Sequence, residues 1–513
     1  MRKGRAVTFV AAVTLAFATA VGVRAGAFTL GPLVQVSGAS PLAGCSADNA
    51  AGQSGTVYLH SEVEPWVDVN PSNPNNIVGI WQQDRWSNGG SRGLVVGTST
   101  NGGANWTSVP TLKTTLCTGG NAANGGGYQR ATDPWVSFGP SGIAYQLSLS
   151  FNDVAPPFTA FDFDHALLAS RSTNGGLTWS DPVVVRRDTA PTVFNDKQSI
   201  TADPTNPSYV YAIWDRLVFP ASERASVVAS FRTSAFSGPT WFARSTDAGL
   251  TWERARPIWD PGQQDQTIGN QIVVQPNGTL IDIFTEFNNE NAKKHRGGFV
   301  RVLRSTDKGA TWSGPYDIAR LGTIGVTDPE TGEDVRTGDI IPDIAVDAAN
   351  GRLYAVWQDA SFNGNRADAI AFSQSLDGGL TWSTPIKVNL TPSGIPIGNQ
   401  QAFTPSVEVS DDGTIGVTYY DFRNNTAAPS TLPTDYFAVH CHRTTATACA
   451  SAANWGPENR LTSSSFDMRL APDAGGFFTG DYEDLAATSS FMAFFSQSHG
   501  TDPASVFFRR VGP

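Results

Sequence analysis

An eight-residue pattern, Ser-x-Asn/Asp-x-Gly-x-Thr/Asn-Trp, occurs five times and constrains the fold more than any other feature of the chain. The copies begin at Ser99, Ser172, Ser245, Ser305 and Ser375. Each copy has the chemistry of a tight turn, because Asn or Asp bonds nearby backbone, Gly supplies positive φ, and Trp packs back onto a sheet. Such long-period self-similarity predicts a repeat architecture.

A second repeat lies between these turns, and it consists of two apolar strands separated by a short turn. Units of this kind begin at Glu64, Asp133, Asp196, Asn270, Ile341, Thr404 and Asp481. A further strand that begins near a Pro or Gly follows several copies of the turn motif. The segment around Pro32 has the same pattern but belongs to no unit of its own. We therefore predict an all-β propeller of seven four-stranded blades, in which the N-terminal strand completes the last blade.

The N-terminus has the features of a secretory signal peptide over residues 1–25. Basic residues at Arg2, Lys3 and Arg5 precede an apolar stretch, and small residues follow it. A membrane anchor is the less favoured alternative, because the apolar stretch is short and rich in Ala. We expect an exported protein whose residues 26–513 form one domain.

The charge of the chain limits its partners. The formal net charge is -11 at pH 7, which disfavours nucleic acid and anionic membranes. It does not exclude an anionic sugar, since a local arginine cluster can bind one. We expect a monomer.

Four cysteines are present, and an even number in an exported protein predicts disulfides with three pairings open. We favour Cys441 with Cys449 and Cys45 with Cys117. The first pair brackets the place where a sixth copy of the turn motif is expected, so a covalent link can replace the missing turn there. Free buried thiols are the alternative.

The five turn motifs resemble the Asp box, or BNR repeat, of the sialidase superfamily. The resemblance implies a β-propeller over nearly the whole mature chain, whereas many non-sialidase propellers carry the same box. Sialidase domains have six blades, so six is the alternative to the predicted seven. Sialidases use a Tyr nucleophile, a Glu that activates it, an Asp acid/base, and three Arg that bind the substrate carboxylate.

The residues of this chain match that catalytic set only in part. The run Tyr482-Glu483-Asp484-Leu485 is similar to the family's Tyr-Ser-x-Leu. Glu64 stands where the family has its first Arg, Gln271 and Glu286 stand where its Glu and second Arg are expected, and the third Arg has no clear counterpart. The chain is therefore divergent from catalytic sialidases.

Strand direction predicts one functional face, at the starts of first strands and the ends of second strands. The candidate catalytic residues there are Tyr482, Glu286, Glu64, Asp84 and Asp133, with Glu62 and Asp481 as further acids. The candidate substrate-binding residues are Arg85, Arg130, Arg216, Arg423 and Trp86. Polar positions such as Asp196 and Lys197 belong to the same face. Taken singly, each residue is more simply explained by solvation or a salt bridge.

These patterns predict a secreted glycoside hydrolase that acts on a glycan at the mouth of the channel. A non-catalytic propeller that binds glycan or protein is one alternative, and a polysaccharide lyase is another. No metal site or cofactor is predicted, although the acidic residues could hold Ca²⁺.

Overall fold

The computed structural model describes residues 28–152, 164–190, 192–218, 237–288, 297–427 and 430–512. The predicted signal peptide lies outside these residues. Within them the chain is all-β apart from short 3₁₀ helices, and no helix is long and apolar enough to cross a membrane. The 3₁₀ helices are Ala50–Gly52, Leu116–Thr118, Ala360–Asn363, Ile397–Gln400, Ala448–Ala450, Ala452–Asn454 and Met468–Leu470.

The strands of the first half of the chain follow the predicted repeat. Two short strands come first: β1 (Thr29–Leu30) and β2 (Val34–Gln35). The next eight form two units: β3 (Glu62–Val69), β4 (Ile77–Arg85), β5 (Ser91–Ser99), β6 (Thr107–Val109), β7 (Arg130–Phe138), β8 (Ala144–Phe151), β9 (His165–Ser172) and β10 (Val183–Asp188). Two further units follow: β11 (Val193–Ala202), β12 (Val210–Val218), β13 (Thr240–Ser245), β14 (Arg256–Trp259), β15 (Gln266–Val274), β16 (Leu280–Asn288), β17 (Gly297–Ser305) and β18 (Ser313–Arg320).

The second half adds strands outside the repeat. Two of them precede the next unit: β19 (Val326–Thr327), β20 (Asp334–Arg336), β21 (Asp343–Val346), β22 (Leu353–Asp359), β23 (Ala369–Ser375) and β24 (Ile386–Lys387). The remaining strands are β25 (Ala402–Val409), β26 (Ile415–Asp421), β27 (Pro433–Cys441), β28 (Glu458–Arg460), β29 (Phe466–Asp467), β30 (Phe477–Phe478), β31 (Asp484–Ala487), β32 (Phe491–His499) and β33 (Asp502–Gly512).

The strands of each unit pair antiparallel with their neighbours in chain order. The first two units share one sheet through a single pair, Ser91 with Ala131. The strands β19, β20 and β30 form a separate accessory sheet, in which β20 and β30 are parallel. The first strands contact one another in series, from β3 through β7, β11, β15, β21 and β25 to β31, and β31 contacts β3. This arrangement of sheets is propeller-like.

The N-terminal strands pair with the last strand of the chain, as predicted. Thr29 lies opposite Gly512, and Val34 lies opposite Phe508. The pairing covers the edge of β33 that would otherwise expose unpaired backbone groups.

The five turn motifs share one set of hydrogen bonds. In each, the Ser Oγ accepts from the backbone N–H of the Gly four residues later, at 2.8–2.9 Å. The Asn or Asp Oδ1 accepts from the backbone N–H of the residue before Trp, at 2.8–3.0 Å. Local side-chain to backbone bonds therefore close every copy in the same way.

Both favoured disulfides are present: Cys45 with Cys117, and Cys441 with Cys449. Cys441 ends β27, and Cys449 lies in the segment that leads to β28. The disulfide thus joins the third strand of the β25–β28 unit, which lacks the turn motif, to the segment that precedes its fourth strand.

Candidate functional site

Three charged residues occupy β-bulges at the starts of neighbouring first strands. Glu64 (φ 53°), Asp133 (φ 51°) and Lys197 (φ 47°) adopt the left-handed conformation where the pairing register shifts. The equivalent bulge of β15 carries Gly269, and that of β25 carries Thr404. Bulges redirect side chains, so residues from three units can point toward one place.

The side chains from these bulges meet at Lys197. Its Nζ donates to Asp481 Oδ2 at 2.7 Å, Asp133 Oδ1 at 3.0 Å and Glu64 Oε1 at 3.3 Å. Arg336 of the accessory sheet donates two hydrogen bonds to Asp481, from Nε to Oδ1 at 2.9 Å and from Nη2 to Oδ2. We call these five residues the lysine cluster. All three donors of the Lys197 ammonium are satisfied by carboxylates.

The lysine cluster lines a cavity of about 520 Å³, which we call the charged cavity. Its wall includes further acids and several apolar side chains. These lining residues include Arg85, Phe151, Phe194, Asp196, Asp334 and Asp339. The volume lies within the range of small-molecule sites in proteins.

Burial and neighbouring charges divide the acids of the charged cavity into two classes. Burial raises the pKa of Glu64, and burial together with the charge of Asp133 raises the pKa of Asp196 well above its ordinary value. Burial also acts on Asp481, but Arg336 and Lys197 outweigh it and hold its pKa far below the usual range. The charged cavity therefore holds acids whose pKa values are raised beside a carboxylate whose pKa is lowered.

Of the predicted arginines, Arg85 alone is among the residues that line the charged cavity. Its Nη1 donates to Gln82 Oε1 at 3.2 Å and to the Gly90 carbonyl at 2.8 Å, while Nε is buried without a partner. Burial, followed by the charge of Arg336, lowers the pKa of Arg85 to about 10.

The other three predicted arginines are held elsewhere. Arg216 pairs with Asp188, with Nη1 2.6 Å from Oδ2, and Arg423 pairs with Asp421 and Glu458. Arg130 donates to Gln53, Asn88, Gly89 and Ser54, and its guanidinium lies 4.2 Å above the Trp86 ring. Neither these arginines nor Trp86 line the charged cavity.

Tyr482 lines a second, narrower pocket, which shares Lys197 and Asp481 with the charged cavity. Its hydroxyl donates to the Pro134 carbonyl at 3.4 Å, and its ring meets the edges of the stacked pair Trp66 and Trp135. Burial and the charge of Glu64 raise the pKa of Tyr482 well above its ordinary value. The phenol is therefore neutral, and it is aimed at backbone.

Three predicted acids lie outside both pockets and have structural partners. Glu62 accepts from Ser37 Oγ at 2.8 Å and from Gln83 Nε2 at 2.6 Å. Glu286 accepts from Trp259 Nε1 at 2.8 Å and from Arg301 Nη1 at 2.5 Å. Asp84 accepts from Ser40 Oγ at 2.7 Å and from the His60 backbone N–H at 2.9 Å. The structure thus brings Glu64 and Asp133 together with Tyr482 close by, but it does not bring Glu286 or Asp84 to them.

The central role of Lys197 and Arg336 was not predicted. Lys197 stands at the same repeat position as Glu64 and Asp133, so a comparison of bulge residues would have selected it. Arg336 lies on β20, outside the repeat, and its partner Asp481 is 145 residues away. No repeat position signals that contact.

The described residues give no support to a metal centre at the charged cavity. The group of three potential ligands whose atoms lie within 4.8 Å of one another is Cys45, Asp48 and Cys117. Both of these sulfurs are consumed by the disulfide, so they are not available as thiolates.

Comparison with known proteins gives distant similarities. No family model matches the chain. A xyloglucanase from Paenibacillus sp. is 27% identical over 230 residues, which is 44% of this chain and 18% of that protein. The chain thus covers less than a fifth of this curated relative.

Solved structures with similar folds are also remote in sequence. A Hadza microbial sialidase has 15% identity and a TM-score of 0.46, with 75% of this chain and 66% of that one covered. An α-L-arabinanase of Penicillium chrysogenum complexed with arabinobiose has 13% identity and a TM-score of 0.44, with 76% of this chain and 94% of that one covered. An ulvan lyase has 11% identity and a TM-score of 0.41, with 70% and 76% covered.

Proposed function

We propose that the chain is a glycoside hydrolase that cleaves a glycan in the charged cavity. One observation carries the proposal: Asp196, an acid with a raised pKa, lines the same cavity as Asp133, a carboxylate bound by Lys197. Hydrolysis of a glycosidic bond by two carboxyl groups requires one protonated and one ionised member.

In this mechanism Asp196 donates its proton to the leaving-group oxygen. Asp133 acts as the ionised partner, either as a base toward water or as a nucleophile. Lys197 Nζ donates to Asp133 at 3.0 Å, and burial together with the negative charge of Asp133 raises the pKa of Asp196 well above its ordinary value. Glu64 has a raised pKa in the same cluster and is the second choice for the acid. The xyloglucanase similarity supports a glycan as the substrate.

Tyr482 has no catalytic role in this proposal. A tyrosine nucleophile needs a base that accepts the phenol proton, whereas the Tyr482 hydroxyl donates to the Pro134 carbonyl. Sialidase-type catalysis is therefore disfavoured.

The test compares turnover of a glycan panel by the wild-type chain and by matched variants. Asp196→Asn and Asp133→Asn are each expected to lower kcat by about 10²-fold or more, the usual contribution of a general acid or base. Glu286→Gln and Tyr482→Phe are the controls, since neither residue lines the charged cavity, and both should retain turnover within about threefold. In the wild type, activity should fall as pH rises through the pKa of Asp196. Loss of turnover in Tyr482→Phe with retention in Asp196→Asn would contradict the mechanism.

A non-catalytic glycan-binding function is the second candidate. The observation in its favour is that Lys197 and Arg336 already occupy the carboxylates of Glu64, Asp133 and Asp481. Binding of a glycan without turnover by any member of the panel would support it.

We further propose that the described sheets are seven blades of one propeller spanning residues 26–513. The cyclic contacts of the first strands and the pairing of β1 and β2 with β33 support this blade number. The two disulfides and the apolar N-terminal segment support secretion after removal of residues 1–25.

A further inference from the structure

The cations that line the charged cavity are already engaged by the protein. Lys197 donates to three carboxylates, and Arg336 holds Asp481 with two nitrogens while its Nη1 donates to the Ala474 carbonyl at 3.1 Å. Each positive charge in the lysine cluster is therefore matched by a carboxylate at hydrogen-bond distance.

Arg85 retains a single nitrogen for a ligand. The Nη1 group donates to both Gln82 and Gly90, and Nε is buried with no partner. A two-bond grip on a substrate carboxylate uses two nitrogens on one edge of the guanidinium. Both two-nitrogen edges that include Nη2 are therefore unavailable, so Nη2 alone can donate to a ligand, which suits a sugar hydroxyl or ring oxygen.

Acids outnumber bases on the wall of the charged cavity. Even without Glu64 and Asp196, whose pKa values are raised, four acids remain against three cations: Asp133, Asp334, Asp339 and Asp481 face Arg85, Lys197 and Arg336. Phe151 and Phe194 add apolar surface to the same wall. Aromatic faces pack against the C–H faces of sugars, and carboxylates accept from sugar hydroxyls.

We infer that the charged cavity selects an uncharged sugar unit and discriminates against a carboxylated one. The inference rests on the proposed function for the location of the glycan and adds its chemical class. Arg85 Nη2 donates to a sugar oxygen, and the buried carboxyl groups of Asp133 and Asp196 accept from its hydroxyls. The surplus negative charge, which includes that of the exposed Asp334, repels uronates and sialic acid.

Binding measurements on the full chain test this inference. Neutral probes are a xyloglucan oligosaccharide and an arabino-oligosaccharide, and carboxylated probes of similar size are an oligogalacturonate and sialyllactose. In calorimetry at low ionic strength, at least one neutral probe is expected to bind 10-fold or more tightly than either carboxylated probe.

Charge variants at the cavity wall show whether carboxylated probes bind weakly because of electrostatic repulsion or because their shape does not fit the charged cavity. Asp334 is exposed and lines the charged cavity, so its replacement leaves the core intact. Coulomb's law over about 8 Å in a solvated site gives roughly two- to fivefold per charge. Asp334→Asn should improve affinity for the carboxylated probes by that factor, and Asp334→Lys by roughly its square. Binding of the neutral probe should stay within about twofold.

Asp411→Lys provides the matched control, because Asp411 is exposed and lies outside the charged cavity. It should change none of these affinities. Carboxylated probes that bind as tightly as neutral ones, an unchanged preference in Asp334→Lys, or no binding of either neutral probe would each overturn the inference. A neutral probe that binds while no member of the glycan panel is cleaved would uphold the inference and refute the hydrolase.

Discussion

Replacement of Lys197 by Met tests whether the lysine cluster depends on its central cation. Met keeps the length of the side chain but leaves Glu64, Asp133 and Asp481 facing one another with Arg336 as the remaining cation of the cluster. Coulomb's law at about 3 Å with an effective dielectric constant near 20 gives about 5 kcal/mol for each lost pair before desolvation is counted. Desolvation of the ammonium offsets most of that sum, so we expect a net loss of about 3–5 kcal/mol in the free energy of unfolding at pH 7.

The loss should depend on pH with a definite sign. In the wild type, Arg336 and Lys197 hold the pKa of Asp481 far below its unfolded value, so this carboxylate stabilises the fold above about pH 4 and less as pH falls. Without Lys197 the pKa of Glu64, which burial already raises, rises further, so Glu64 stabilises the fold less once it ionises. Asp481 loses one of the two cations that lower its pKa, so its carboxylate stabilises the fold less above about pH 4. The loss in the free energy of unfolding caused by Lys197→Met should therefore be smallest near pH 4 to 5 and should grow toward pH 7 to 8.

Denaturant unfolding at a series of pH values measures this deficit. Lys308→Met is the matched control, because Lys308 Nζ pairs with Asp203 Oδ2 at 2.6 Å at the opposite, turn-bearing end of the sheets, and its side chain is 25% exposed. We expect the control to lose about 1 kcal/mol. A Lys197→Met deficit no larger than that of Lys308→Met, or one that shrinks as pH rises, would refute the electrostatic account of the cluster.

Two further predictions concern stability outside the charged cavity. Asp307→Ala should destabilise by about 1–2 kcal/mol in denaturant unfolding, because Oδ1 accepts from Thr311 N at 2.8 Å and Oδ2 from Thr311 Oγ1 at 2.6 Å. Asp307→Asn should lose less than half as much, since Asn forms the same backbone bond in two natural copies of the turn; equal losses would contradict the turn mechanism. Replacing Cys45 and Cys117 by Ser should lower the free energy of unfolding by about 4 kcal/mol, because this disulfide joins residues 72 apart in the chain. Replacing Cys441 and Cys449 by Ser should lower it by about 2.5 kcal/mol, because that disulfide joins residues only 8 apart. The reverse order in thermal unfolding would contradict this reasoning.

The fold was predictable because its signals are local. Each turn motif closes through bonds between residues two to four positions apart, as at Ser305, Asp307 and Gly309, so the sequence displays the turn directly. The N-terminal strand could be assigned to the last sheet because its pattern lacked a unit of its own, and Thr29 does pair with Gly512.

The site was less predictable because it depends on contacts between distant segments. The side chains that meet at Lys197 belong to Glu64, Asp133 and Asp481, and Asp481 lies 284 residues from Lys197 in the chain. Tyr482 was selected by its resemblance to a known motif, but the motif does not show that its hydroxyl is directed to a backbone carbonyl. The resemblance selected a residue close to the charged cavity but could not show what its hydroxyl contacts.

Backbone strain and buried charge coincide at the three charged bulge residues of the lysine cluster. A residue with a Cβ in the left-handed conformation is strained by about 1 kcal/mol, and Gly269 shows that glycine fits the equivalent bulge without that strain. Glu64, Asp133 and Lys197 accept the strain and also bring charges into a buried place, where a well-packed apolar set is often as stable as ion pairs. Two independent unfavourable terms therefore coincide at three neighbouring positions. Such coincidence is typical of binding and catalytic sites, where geometry outweighs stability.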